Sequence, residues 1–155
     1  MLVIQRVSWR RPRYTLSDDD GHRGRWARRR FGEAIAGDLD GSPFELRRDG
    51  RSRFTLVSSG TVLASADATA RGRWTISVDG SVYELRRTSR WRSAMELRRN
   101  EIAGGSIRTG RRGQVLCDLP VELSPAVQAF IGFVVVALWN RAAASSGSAF
   151  VVAGG

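Results

Sequence analysis

Residues Leu123 to Arg141 read LSPAVQAFIGFVVVALWNR, and what this segment packs against decides the architecture of the chain. Ser124 is a good N-cap and Pro125 suits the first helical position, where a backbone N–H would be unsatisfied anyway; the acidic Glu122 lies just before them. The pattern predicts a helix over 124–141. From Ala129 to Trp139 no residue is charged, and Phe130, Ile131, Phe133, Val134, Val135, Val136 and Leu138 cover the whole circumference rather than one stripe. A helix apolar all round is a buried helix. Spanning a bilayer takes roughly 17 to 25 apolar residues, and the small residues after Arg141 add no second apolar block, so the reading is a core helix and not a transmembrane span.

The chain has 155 residues, enough for one domain with a real core and too few to expect two. That domain is expected over residues 1–141, with the small residues 142–155 as a flexible tail. The apolar start Leu2-Val3-Ile4 ends at Gln5 and Arg6, too short for a secretory signal. Cys117 is the single cysteine, which excludes an intrachain disulfide and a multi-cysteine zinc site. These features predict a cytoplasmic, reducing location. The formal charge is +10, and all 25 basic residues are arginine. The absence of lysine suggests a coding bias acting on the whole surface, so arginine abundance alone does not mark a site. The net excess remains, because such a bias exchanges Lys for Arg without removing acids. Attraction to polyanions follows from it.

Before Pro120 the chain breaks into short alternating runs. Arg73 to Val78 places Trp74, Ile76 and Val78 on one face, Asp79-Gly80 makes a tight hairpin turn, and Val82 to Arg87 pairs back with Tyr83 and Leu85 inward. The same pattern predicts strands near Leu2–Ser8, Arg13–Ser17, Arg25–Phe31, Ala34–Asp38, Pro43–Arg48, Phe54–Ser58, Val62–Ala68, Ala94–Arg99, Ile102–Thr109 and Gln114–Leu119. That makes about twelve strands, at sandwich or barrel spacing. Phe44-Glu-Leu-Arg-Arg48 recurs as Tyr83-Glu-Leu-Arg-Arg87 and Met95-Glu-Leu-Arg-Arg99. Period-two alternation demands polar residues at these positions, so amphipathic strand faces with Glu–Arg pairs explain the repeat better than an arginine-lined strip. In Arg25 to Phe31 arginines fall on both faces, which makes Arg28, Arg29 and Arg30 the first candidate anion-binding cluster; Arg111 and Arg112 in a late turn are the second.

About twelve strands closed into a barrel leave a lumen too wide for side chains alone. A helix of about 17 residues is roughly 25 Å long, comparable to the height of such a barrel. The expected fold is therefore mainly β, a closed antiparallel barrel wrapped around the hydrophobic C-terminal helix. Gly132 would allow one close approach of helix to strand, and Phe130, Phe133 and Trp139 would meet inward groups such as Trp74, Tyr83 and Leu97.

Read with the opening Tyr14-Thr-Leu-Ser-Asp-Asp-Asp-Gly21, the Tyr83-Glu-Leu-Arg and Met95-Glu-Leu-Arg strands, and the closing Leu119-Pro120 then Leu123-Ser-Pro-Ala-Val-Gln-Ala-Phe-Ile-Gly-Phe133, this order resembles the tubby C-terminal-like superfamily. Among its tubby, phospholipid scramblase and LURP-one-related branches, the chain is most similar to the small LURP-one-related type. The resemblance implies a non-enzymatic module that binds anionic phospholipid headgroups or a membrane surface, peripherally. With no lysine, it implies no lysine contact. The chain also lacks the proline-rich segment and cysteine cluster of scramblases.

Catalytic chemistry finds little support. His22 follows Asp18-Asp-Asp-Gly21, ordinary turn chemistry that matches no calcium loop. No Gly-x-Ser-x-Gly elbow accompanies a serine. Gly104-Gly105-Ser106 lacks the rest of a phosphate loop. Cys117 shares a face with Val115 and Leu119 and reads as a buried small hydrophobe. No catalytic residue, metal ligand or cofactor is expected. The second functional reading is a barrel binding single-stranded nucleic acid, since Trp9, Trp26 and Trp91 each lie beside arginines.

Overall fold

Two-residue turns set the register of the whole sheet. At Asp79-Gly80 both φ angles are positive, 47° and 79°, and Val78 pairs directly with Ser81. This mirror-image turn matches the right-handed strand twist, so the two strands leave it already paired. Asp40-Gly41, Ser59-Gly60 and Asn100-Glu101 repeat the arrangement. The structure, a computed structural model, describes residues 1–8, 10–28, 34–88 and 94–145. Its strands are β1 (Leu2–Ser8), β2 (Arg13–Asp18), β3 (Gly21–Arg28), β4 (Ile35–Leu39), β5 (Ser42–Asp49), β6 (Arg53–Ser58), β7 (Thr61–Ala70), β8 (Arg73–Val78), β9 (Ser81–Arg87), β10 (Ala94–Arg99), β11 (Ile102–Thr109) and β12 (Val115–Asp118). They form one closed antiparallel barrel in sequence order, sealed where β1 pairs with β12, Leu2 opposite Cys117 and Ile4 opposite Val115.

Up-and-down order sends alternate connections to opposite ends. The turns after β2, β4, β6, β8 and β10 are all two residues long and make a tight end. The connections after the odd-numbered strands lie at the other, open end, where Gly110–Gln114 joins β11 to β12. The helix α1 (Pro125–Ser145) enters the lumen from the tight end. Ser124 caps it, its hydroxyl accepting from the Val127 N–H at 3.3 Å. Ala126, Val127, Ala129, Phe130, Ile131, Phe133, Val134 and Val135 are buried, Val136 to Trp139 are half-buried, and Asn140 emerges in solvent at the open end. By length and composition residues 125–143 are apolar enough to cross a membrane; here half of the segment lies in the barrel core. α1 runs to Ser145, four residues beyond the Arg141 end read from the sequence, because Ala142 to Ala144 are strong helix formers. Residues 146–155 of the expected tail lie outside the described residues.

Inward residues of every strand share one core with α1. Phe133 meets Tyr14 edge-on with ring centroids 5.1 Å apart and stacks on Trp26 at 5.1 Å, while Phe44 stacks on the far side of Trp26. Those are not the rings the sequence suggested for it. Trp74 packs on Phe54 instead. β3 also differs from the expected Arg25–Phe31: it begins at Gly21, because the Asp19-Asp20 turn pairs Asp18 with Gly21 and draws His22 and Arg23 into the sheet. Trp26 consequently points inward and Arg25 outward.

Gly132 sits where helix and seam touch. A methyl group there would lie 2.6 Å from Ile4 Cδ1 and 2.8 Å from Cys117 Sγ. Gly132→Ala is expected to destabilise the fold despite the roughly 1 kcal/mol gain in helix propensity, since overpacking costs about 1–3 kcal/mol. Ile4→Val removes the nearer of the two atoms. The double variant should lose less stability by chemical denaturation than the two single losses added together; strict additivity would mean that the helix does not press on this seam.

Candidate functional site

Charge divides between the two ends of the barrel. In the described connections of the open end, Arg10, Arg11, Arg51, Arg71, Arg111 and Arg112 are all exposed, and no acidic residue occurs there. In the connections of the tight end, Asp19, Asp20, Asp40, Asp79, Glu101 and Glu122 are exposed, and no arginine occurs. Part of this polarity complements the α1 dipole, whose positive end faces the acids and negative end the arginines. That effect is confined to the terminal turn and is worth about 0.3–1 kcal/mol per charge, so it gives no reason for arginines around the whole rim.

The basic rim is densest over the neighbouring strands β11, β12, β1, β2 and β3. Arg111–Gly113 forms a single 3-10 turn in which Arg112 adopts the left-handed conformation, φ 53° and ψ 41°. Gln5 fastens this turn to β1, its side-chain amide donating to the Arg112 carbonyl at 3.1 Å. On the other side the Arg28 N–H donates to the Pro12 carbonyl at 3.0 Å, so the Arg10-Arg11 connection lies beside the end of β3. The structure thus brings Arg28, Arg111 and Arg112 to one end, with Arg10 and Arg11 between them. Arg29 and Arg30 lie outside the described residues, as do Trp9 and Trp91.

Beneath this arc is a cavity of about 160 Å³ between α1 and the strand ends. Ile4, Val115 and Val136 form its apolar part, and Arg6, Tyr14, Thr109 and Asn140 its polar part. Arg6 and Tyr14 are direct cross-strand partners on the inward face, and the Arg6 Nε donates to the Ser8 carbonyl at 3.2 Å. Burial pushes the Tyr14 hydroxyl above its ordinary pKa, with the positive charges of Arg6 and Arg28 opposing the shift. It therefore stays protonated, and a hydrogen-bond donor, at neutral pH.

The remaining sequence candidates are structural. Glu45–Arg47, Glu84–Arg86 and Glu96–Arg98 pair along their own strands at 3.2, 3.7 and 3.3 Å, and Glu84 and Arg86 stand opposite Arg98 and Glu96 across β9 and β10. This explains the repeated Glu-Leu-Arg. The next arginine of each copy lies on the inward face near a strand end. Arg99 covers the Tyr83 ring at 5.6 Å, while Arg48 and Arg87 belong to the open end. In the acidic turn, Arg23 bridges Asp18 at 2.6 Å, Asp20 at 3.5 Å and Asp40 at 3.4 Å, and its hydrogen bond holds the Asp18 carboxyl below the usual carboxylate range. His22 is exposed beside it. Cys117 is buried against α1, and desolvation pushes its thiol up to about 12.

Sequence reading missed Arg6, Arg10, Arg11, Tyr14 and Asn140. The signal that finds the rim is parity: once the strands are taken as up-and-down neighbours, every second connection belongs to the same end. Comparison of the chain with protein-family models, with curated proteins and with solved structures finds no match.

Proposed function

We propose that this protein is a non-enzymatic binding module that docks its open end on an anionic membrane surface, with the barrel axis along the membrane normal and the C-terminal end of α1 facing the surface. The carrying observation is the separation of exposed turn charges among the described residues, six arginines at one end and six carboxylates at the other. Alternate hairpins of one barrel end near a common plane, and twelve strands at about 4.8 Å spacing and 40° tilt enclose a circle roughly 24 Å across. That geometry suits a plane of headgroups better than a single strand of nucleic acid. Binding of single strands needs exposed rings for base stacking, and the exposed large apolar side chains of the described residues, Met1, Val7, Val62, Val82, Ile102 and Val121, include no aromatic one. Among the described residues no charged side chain is buried in the lumen. Likeness to the tubby C-terminal-like superfamily and its LURP-one-related branch belongs to the same proposal, supported by the order of twelve strands and a central helix.

Co-sedimentation with anionic and neutral vesicles, beside titration with single-stranded DNA and RNA over about 0.05–0.5 M salt, tests it. Binding to anionic vesicles alone, weakening with salt, is the expected result. Absence of vesicle binding at low salt, with a steep salt slope for nucleic acid, would transfer the basic end to the second reading.

A further inference from the structure

We propose that the cavity under the basic rim is a binding site for a phosphomonoester group, held by Arg6, the Tyr14 hydroxyl, Thr109 and the Asn140 amide. The inference rests on the reading of the open end as an anion-facing surface and makes it specific. Its first support is contrast. The groove over β10 and β11 is lined in part by Glu96 and Asp118, and the hollow beside β4 and β5 by Glu45, whereas among the described residues no carboxylate lines the cavity at the open end. A described lining of one guanidinium, two hydroxyls and an amide, with no acid among it, selects an anion with several acceptor oxygens.

Size and placement narrow the choice. The cavity of about 160 Å³ has room for a phosphoryl group and the first atoms attached to it. Ile4, Val115 and Val136 make one wall of the cavity apolar, while Arg28, whose charge acts on Tyr14, and Arg112, next to the lining Gly113, raise the potential around it. A monoester, carrying up to two charges and three unesterified oxygens, gains more here than a diester, which has one charge and two such oxygens. The same chemistry is offered by a lipid headgroup such as phosphatidic acid and by a soluble sugar or glycerol phosphate.

Two titrations separate these sources and separate this site from the rim. Glycerol 3-phosphate, followed through the Asn140 side-chain amide resonance, is expected to saturate with the wild-type chain and to bind at least ten-fold more weakly to Arg6→Gln and Tyr14→Phe. Phenylalanine keeps the edge contact with Phe133, and circular dichroism verifies that both variants are folded. Vesicles of phosphatidic acid are expected to bind the wild-type chain about ten-fold better than phosphatidylglycerol vesicles of equal charge, a preference that both variants lose while keeping the phosphatidylglycerol level. Saturation by glycerol phosphate without vesicle binding keeps the cavity and overturns the membrane reading. Vesicle binding with no monoester preference, and no saturable shift with glycerol phosphate, overturns the cavity site and leaves the rim intact.

Discussion

Val134→Asp is expected to leave no cooperatively folded protein at neutral pH. Val134 is fully buried, and the described core offers no buried charged side chain to pair with a carboxylate. An ionised carboxylate there costs several kcal/mol even after relaxation, and the alternative, protonation, still buries an unsatisfied hydroxyl and carbonyl. Total stability of a domain this size is about 5–15 kcal/mol. The barrel cannot escape by local collapse, because its twelve strands form a closed ring and the position lies on the axis. Val134→Ala removes two methyl groups and should cost only about 2 kcal/mol, leaving a folded protein of lower midpoint. The sign of the pH effect is fixed as well. A buried Asp has a raised pKa, so any residual folding of the variant belongs below pH ~4, where the unfolded chain is protonated too, and disappears as pH rises. A Val134→Asp variant with the wild-type near-ultraviolet dichroism and a sharp thermal transition at pH 7 would show that α1 does not fill the lumen.

The same residue illustrates what the sequence discloses about the fold. Phe130 to Leu138 is apolar on every side, and strands at this spacing leave a space that such a helix fits. Turn chemistry did the rest: Asp40-Gly41, Ser59-Gly60 and Asp79-Gly80 each fix a two-residue hairpin, so neighbours in sequence become neighbours in the sheet. Failure came where turn-like residues sit inside a strand. Gly21-His-Arg-Gly24 looks like a loop, yet the Asp18 carboxylate accepts from the Asp20 N–H at 2.8 Å and closes the turn two residues earlier, which extends β3 back to Gly21. The candidate site was legible only in part. Arg28, Arg111 and Arg112 stand out as local clusters, but the cavity joins residues from β1, β2, β11, β12 and α1, a proximity created by barrel closure. Nothing local marks Arg6 as different from any other strand arginine.

Replacing Arg10, Arg11, Arg111 and Arg112 together by Gln is expected to reduce binding to anionic vesicles about a thousand-fold. Each arginine near such a surface contributes about 1 kcal/mol, and four neighbouring ones lie within a few Debye lengths of one another, so their contributions add approximately. The comparison that gives the number meaning is a second quadruple variant, with Arg25, Arg47, Arg98 and Arg99 changed to Gln. Both variants carry a formal charge of +10 − 4 = +6. They differ in place, since Arg25 and Arg47 lie on the outer wall and Arg98 and Arg99 near the tight end, and circular dichroism verifies that the second variant, which loses the Glu45 and Glu96 ion pairs, is folded. Attraction by net charge alone makes the two equally weak. Docking through the open end spares the second variant, which should lose less than ten-fold, because Arg98 and Arg99 are held a barrel's height from the membrane, screened over about 8 Å at physiological salt, and Arg25 and Arg47 point sideways from the wall rather than toward the headgroups. The turn arginines are exposed and support no buried group, so thermal stability should change little in the first variant, and weakened binding then reports on the surface rather than on the fold. Equal losses in the two variants would sink the oriented docking and leave a protein that attracts polyanions from every side.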